Sequence, residues 1–238
     1  MLKDPDDWIK EGNLFYQQKK FAQALAAYTR AIEQDMNNAK AWNLKGLTLW
    51  ELKRYEVALG AYGMAVKRDP EYAIAWMNLG DVLFYLGRYW EASKAFDKAL
   101  EIDPKNSDDW NDRGDVLRKI NRFEEALHAY DEAIRLDPDH VFAWYNKGLV
   151  FSQLNHHEEA LNAFEKAVRL NPDFSLAWYN QGLALSKLNR FEEALYAFDE
   201  AIRLDPDNTS AWSNKGFALR QLNRFDEALH AYETATKQ

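Results

Sequence analysis

Five side chains recur at one interval and could hold a peptide backbone. Asn78, Asp112, Asn146, Asn180 and Asn214 stand 34 residues apart, each two positions after a tryptophan. A carboxamide carries both a donor and an acceptor. A row of asparagines can therefore pair with both groups of a peptide unit without reading its side chains. Lys10 and Leu44 hold the same place in the first two intervals and break the row.

The flanking positions give the row its character. Phe142, Tyr145, Leu149, Leu176, Tyr179, Leu183 and Phe217 are expected on the same face, with burial between repeats the alternative for Leu149 and Leu183. So many apolar groups beside a polar row suggest a binding surface. Asp81, Asp112 and Asp115 make an acidic band, which favours a partner carrying Lys or Arg at one point. The stretch 107–140 holds ten acids against five bases. A solvated charged face would look the same.

Catalytic chemistry has little to work with. The histidines are His128, His140, His156, His157 and His230, and there is no cysteine. His156 and His157 are adjacent, so on a helix they point in different directions. No glycine-rich phosphate loop, nucleophile elbow or His-Glu-x-x-His motif is present. Paired acids such as Glu124-Glu125 and Glu192-Glu193 recur with the repeat and read as helix starts. The expectation is a protein that is not an enzyme and needs neither cofactor nor metal.

The elements that position these residues follow from an unbroken period. Trp8, Trp42, Trp76, Trp110, Trp144, Trp178 and Trp212 keep a step of 34. Gly12 to Gly216 and Ala24 to Ala228 keep the same step. Such a period marks a repeat array. Counted from Pro5, the repeats are 5–38, 39–72, 73–106, 107–140, 141–174, 175–208 and 209–238, read as one array over 1–238. Trp144, Gly148 and Phe151 share a helical face, as do Ala160, Phe164 and Ala167. Each repeat therefore holds two helices, A and B. Pro70, Pro104, Pro138, Pro172 and Pro206 stop helix B. Gly87, Asn121, Asn155, Asn189 and Asn223 lie between A and B, where the left-handed conformation closes a helix. Gly148 and Ala160 are expected to let two helix backbones approach, with Tyr130, Phe164 and Phe198 filling the space beside them. The Trp, Gly, Ala and aromatic columns are therefore core, not site.

This pattern of Trp, Gly, an aromatic or Leu, then Ala, Tyr or Phe, Ala and Pro resembles the tetratricopeptide repeat family over essentially the whole chain. The resemblance implies an all-α, right-handed superhelical solenoid of antiparallel helix pairs, with helix A lining the concave face. It also implies a scaffold that binds an extended peptide or protein segment in that groove. The asparagine row resembles the ladder in the repeat superhelix of the O-linked N-acetylglucosamine transferase, although no transferase domain is present. The two-carboxylate clamp of the chaperone-tail-binding members is absent, because its columns read Ile9 and Asn13, Leu44, then Ile74 and Asn78. Several departures stand out. Met36 replaces a proline, Gly60 and Gly63 weaken one helix B by about 1 kcal/mol each relative to Ala, and Trp90 replaces a Glu with the expectation of exposure. The stretches 122–139 and 190–207 differ only at His128/Tyr196 and Tyr130/Phe198, which suggests recent duplication.

Bulk properties narrow the partners. The formal net charge is −8, which argues against nucleic acid or an anionic membrane. The absence of cysteine suits a reducing cytoplasm. No stretch reads as a signal or a membrane span. Leu229, Tyr232 and Ala235 lie in the last helix B with no repeat after them, so a second expectation is a homo-oligomer formed end to end through the terminal repeats.

Overall fold

The structure, a computed structural model, describes residues 4–237. The chain divides into two compact units, Met1–Arg122 and Phe123–Gln238. The boundary falls between the two helices of the fourth predicted repeat. The first unit holds α1 (Pro5–Gln17), α2 (Phe21–Gln34), α3 (Ala39–Glu51), α4 (Tyr55–Arg68), α5 (Ala73–Tyr85), α6 (Tyr89–Ile102) and α7 (Ser107–Lys119). The second holds α8 (Phe123–Leu136), α9 (Val141–Gln153), α10 (His157–Leu170), α11 (Ser175–Lys187), α12 (Phe191–Leu204), α13 (Thr209–Gln221) and α14 (Phe225–Lys237). No strand occurs among the described residues. No helix among them is long and apolar enough to cross a membrane.

Within each unit every odd-numbered helix packs against the even-numbered helix that follows it in that unit. Odd helices also touch across one repeat, as α3 with α5 and α9 with α11, while even helices make no comparable contact with each other. The odd helices are therefore the inner layer of each unit, and their outward columns face a common surface. This is an all-α solenoid of helix pairs.

Local chemistry sets the boundaries. The side chains of Asp4, Asn38, Asn106 and Asn208 accept hydrogen bonds from backbone N–H groups in the first turns of α1, α3, α7 and α13. His140 does the same for α9 through Nδ1, at 3.2 Å from the nitrogen of Ala143. Between the A and B helices Asn121, Asn155, Asn189, Asn223 and Gly87 take positive φ, as expected. Lys19 and Lys53 do so as well, at 57° and 58°. Their column position alone forces an unfavourable conformation on an L residue.

The glycines need a corrected explanation. A Cβ on Gly148 would lie 2.7 Å from Cε1 of Phe164, and one on Gly182 would lie 2.6 Å from Cε1 of Phe198. What presses on each glycine is the ring of the partner helix, not its backbone. Burial of each such ring contributes on the order of 2–3 kcal/mol. By contrast, Gly60 and Gly63 have open space beside them. Helix α4 runs through both without interruption, because its neighbours in the fold offset a weak local propensity.

The tryptophans are more than core. Nε1 of Trp76, Trp144, Trp178 and Trp212 donates to the carbonyl of the proline six residues earlier, at 2.8–3.0 Å. Trp42 donates to Met36 in the same way, since the acceptor is a backbone carbonyl and any residue supplies one. Each of these tryptophans thus fixes the turn that enters its own repeat.

Candidate functional site

The asparagine row in the second unit is oriented by its own helix and by the repeat before it. Nδ2 of Asn180 donates to the Leu176 carbonyl at 2.8 Å and to the Tyr145 hydroxyl at 3.2 Å. Nδ2 of Asn214 repeats this with the Ser210 carbonyl at 2.9 Å and the Tyr179 hydroxyl at 3.2 Å. A backbone carbonyl can only accept, so the nitrogen must face it. Both amide hydrogens are committed inside the protein. The expectation that each carboxamide offers donor and acceptor is corrected accordingly: Oδ1 alone is left for a ligand. The Tyr179 hydroxyl oxygen accepts from Asn214, which leaves its own hydrogen to donate outward.

The other rungs sit deeper. Asn78 is 8% exposed and donates to Oδ1 of Asn43 at 2.9 Å. Asn146 is equally buried. Asn43 stands one place after Trp42, the column that carries Tyr145 and Tyr179 in later repeats. That column supplies the acceptor that holds the next repeat's amide. Sequence reading passed over Asn43, although the column was visible.

The apolar flank divides. Phe142 is well exposed and meets Phe174 edge to face at 5.6 Å. Tyr145 packs on Phe174 and Phe164, and Tyr179 on Phe198. These rings are half-buried, and their hydroxyls serve the asparagines. Phe217 is at the edge of exposure, with the Arg220 guanidinium over its face. Leu149 and Leu183 are half-buried against the core of the second unit, which is the alternative named for them.

In the first unit Asp81, Asp112 and Asp115 line one crevice with Phe84 and Phe96. Burial first, and the carboxylates of Asp112 and Asp109 second, push Asp81 up to about 7. Asp112 rises to about 6, mainly through burial, against a lowering hydrogen bond from Asn111. Asp109 is pushed to about 7 by burial and then by Asp112. Asp115 differs, because Arg118 pairs with it at 3.0 Å. Among the described residues no three carboxylates or imidazoles converge in a way that could hold a metal ion.

A larger cavity of about 470 Å³ opens beside that crevice and shares Asp81 and Phe84 with it. Trp50, Glu51 and Tyr85 complete its rim. None of these three was among the sequence candidates. The signal was there: the position eight after each tryptophan reads Tyr16, Trp50 and Phe84 in the first three repeats, then Arg118, Ser152, Ser186 and Arg220. His140, His156 and His157 stand at helix starts, while His128 and His230 lie within α8 and α14. His156 precedes α10, His157 is its first residue, and His156 stacks on Phe151.

Five family models match in turn along the chain. One described as Tetratricopeptide repeat covers residues 9–63 and 149–209. Others of the same description cover 73–106, 95–128 and 185–238, and one described as TPR repeat covers 114–155. The chain belongs to the tetratricopeptide repeat family. Among solved structures, this tetratricopeptide repeat chain is similar to YrrB, described as a TPR protein with an unusual peptide-binding site. The identity is 29%, over 78% of this chain and 95% of that one, with a TM-score of 0.66. Pseudomonas aeruginosa pilF is 25% identical over 81% of this chain and 88% of its own, with a TM-score of 0.71. A tetratricopeptide repeat protein from Parabacteroides merdae aligns over 98% of this chain and 92% of its own at a TM-score of 0.75. Its identity is 12% and so speaks for the fold alone. No curated protein matches the sequence.

Proposed function

We propose that this tetratricopeptide repeat chain is a non-enzymatic interaction scaffold, read as one array of seven repeats, that binds an extended segment of a partner protein along the inner helices. The observation that carries the reading is the fixed orientation of Asn180 and Asn214. Each has its amide nitrogen bonded within the protein, which leaves Oδ1 as the acceptor, and the Tyr179 hydroxyl supplies a donor next to Asn214. An acceptor and a donor side by side match the N–H and C=O of an extended chain. Phe142, Tyr145, Tyr179 and Phe217 supply apolar contact, and the Asp81, Asp112 and Asp115 crevice supplies a preference for a basic residue. YrrB, which is described with a peptide-binding site, is consistent with a peptide as ligand.

The test is a peptide-library screen on the whole chain beside a variant with Asn180 and Asn214 changed to Ala. Peptides that bind the parent and are lost in the folded variant support the reading. Equal binding by both, or binding by neither, overturns it.

A further inference from the structure

The cavity in the first unit has a composition that selects its occupant. Its floor and rim come from α3 and α5, with Tyr62 of α4 behind them. Trp50 and Tyr85 meet edge to face at 5.3 Å, and Tyr55 closes on Tyr85 at 4.2 Å, so the three rings form one aromatic wall. Tyr85 is more than half exposed and lines the cavity. The opposite chemistry is carboxylate. Glu51 accepts from the Tyr16 hydroxyl at 3.3 Å and keeps its other oxygen for a second donor. Asp81 has no hydrogen-bond or ion-pair partner among the described residues.

No Lys or Arg lines the cavity. Within the lining the carboxylates of Glu51 and Asp81 therefore have no basic side chain to offset them. Tyr62 is held above its ordinary ionisation range by burial, then by Asp81, Tyr16 and Glu51. An acidic ligand group would meet repulsion there, and a neutral one would leave Asp81 buried without a partner. A cation gains twice, from the carboxylates and from the ring faces. The shape of the site favours a planar cation over a point charge. A guanidinium stacks flat on an aromatic face and presents a fork of N–H donors to a carboxylate, which an ammonium cannot do.

We propose that this cavity is a receptor pocket for an arginine side chain of the bound partner, set against the Trp50 and Tyr85 rings and paired with Asp81 and Glu51. The pocket deepens the peptide-scaffold reading and rests on it for the identity of the partner as a polypeptide. It adds a side-chain specificity that the asparagine row cannot provide, since the row reads backbone.

The probe is a capped alanine peptide with one central arginine, set against its lysine and citrulline counterparts. Citrulline keeps the shape of arginine and removes the charge. Binding is followed on the whole chain through the indole N–H signal of Trp50, assigned by its loss in Trp50→Phe. The arginine peptide is expected to shift that signal at concentrations up to about 10 mM. Citrulline and lysine are expected to bind about tenfold more weakly or worse. Asp81→Asn should weaken the arginine peptide by about tenfold, and it keeps the shape of the side chain, so the fold survives. An unmoved Trp50 signal, a citrulline or lysine peptide that binds as well, or an Asp81→Asn variant that binds unchanged would each overturn the pocket. The two readings fail separately. If library peptides bind through the asparagines while Trp50 stays silent, the pocket alone falls. If the arginine probe moves Trp50 while no library peptide binds, the pocket stands as a guanidinium site and the groove reading falls.

Discussion

The side-chain nitrogen of Asn214 lies 3.2 Å from the hydroxyl oxygen of Tyr179, one repeat earlier. That contact turns an amide with two faces into a directed acceptor. It also makes the tyrosine a donor towards the ligand side. Tyr179→Phe is therefore expected to lower the affinity of a library-selected peptide by roughly three- to tenfold, in line with the loss of one hydrogen bond. The readout is titration calorimetry on parent and variant, with circular dichroism showing the helices intact. Unchanged affinity would mean that the hydroxyl serves only to hold Asn214.

Gly148 and Gly60 should respond to alanine with opposite signs. At Gly148 a methyl group meets the Phe164 ring at 2.7 Å, so Gly148→Ala is expected to destabilise by about 1–3 kcal/mol through overpacking. Gly60 is inside a helix with open space beside it, so Gly60→Ala should stabilise by about 0.5–1 kcal/mol. Urea unfolding of the two variants checks both at once.

Lys53 holds a left-handed backbone at φ 58°. Its N–H still closes the helix, donating to the Trp50 carbonyl at 2.8 Å. Lys53→Gly keeps that bond and removes the steric conflict of Cβ, so a gain of roughly 1 kcal/mol is expected in the same assay. A loss would place the conflict elsewhere.

The acidic crevice predicts an unusual pH response. Asp81, Asp109 and Asp112 are raised above the carboxylate range in the fold, to about 7, 7 and 6. A raised acid binds its proton more tightly folded than unfolded. Its contribution is fully present below the unfolded value and is lost as pH rises through the folded one. Thermal stability should therefore fall between about pH 4 and pH 7, over and above the response of the other groups. Asp81→Asn is expected to flatten that fall and to stabilise the chain by about 1–3 kcal/mol at pH 8, where the parent carboxylate is ionised against its neighbours. A melting series across pH for parent and variant decides it, and an identical slope in both would show that Asp81 titrates normally.

Sequence alone determined the architecture of this protein. A 34-residue period in Trp, Gly and Ala, with Pro and Asn at the turns, admits few other arrangements, because each helix pair can bury its apolar face only against the next. The asparagine row and the acidic residues were legible for the same reason: a repeat carries each column to the same place on successive inner helices. Which atoms those columns offer was decided by the tertiary structure. One amide hydrogen of Asn180 and of Asn214 is tied to its own helix and the other to the tyrosine of the preceding repeat, and burial withdraws Asn78 and Asn146. The cavity of the first unit was decided there too. Trp50 and Glu51 come from one repeat and Phe84 and Tyr85 from the next, and only the packing of α3 beside α5 places their rings and carboxylates around one space.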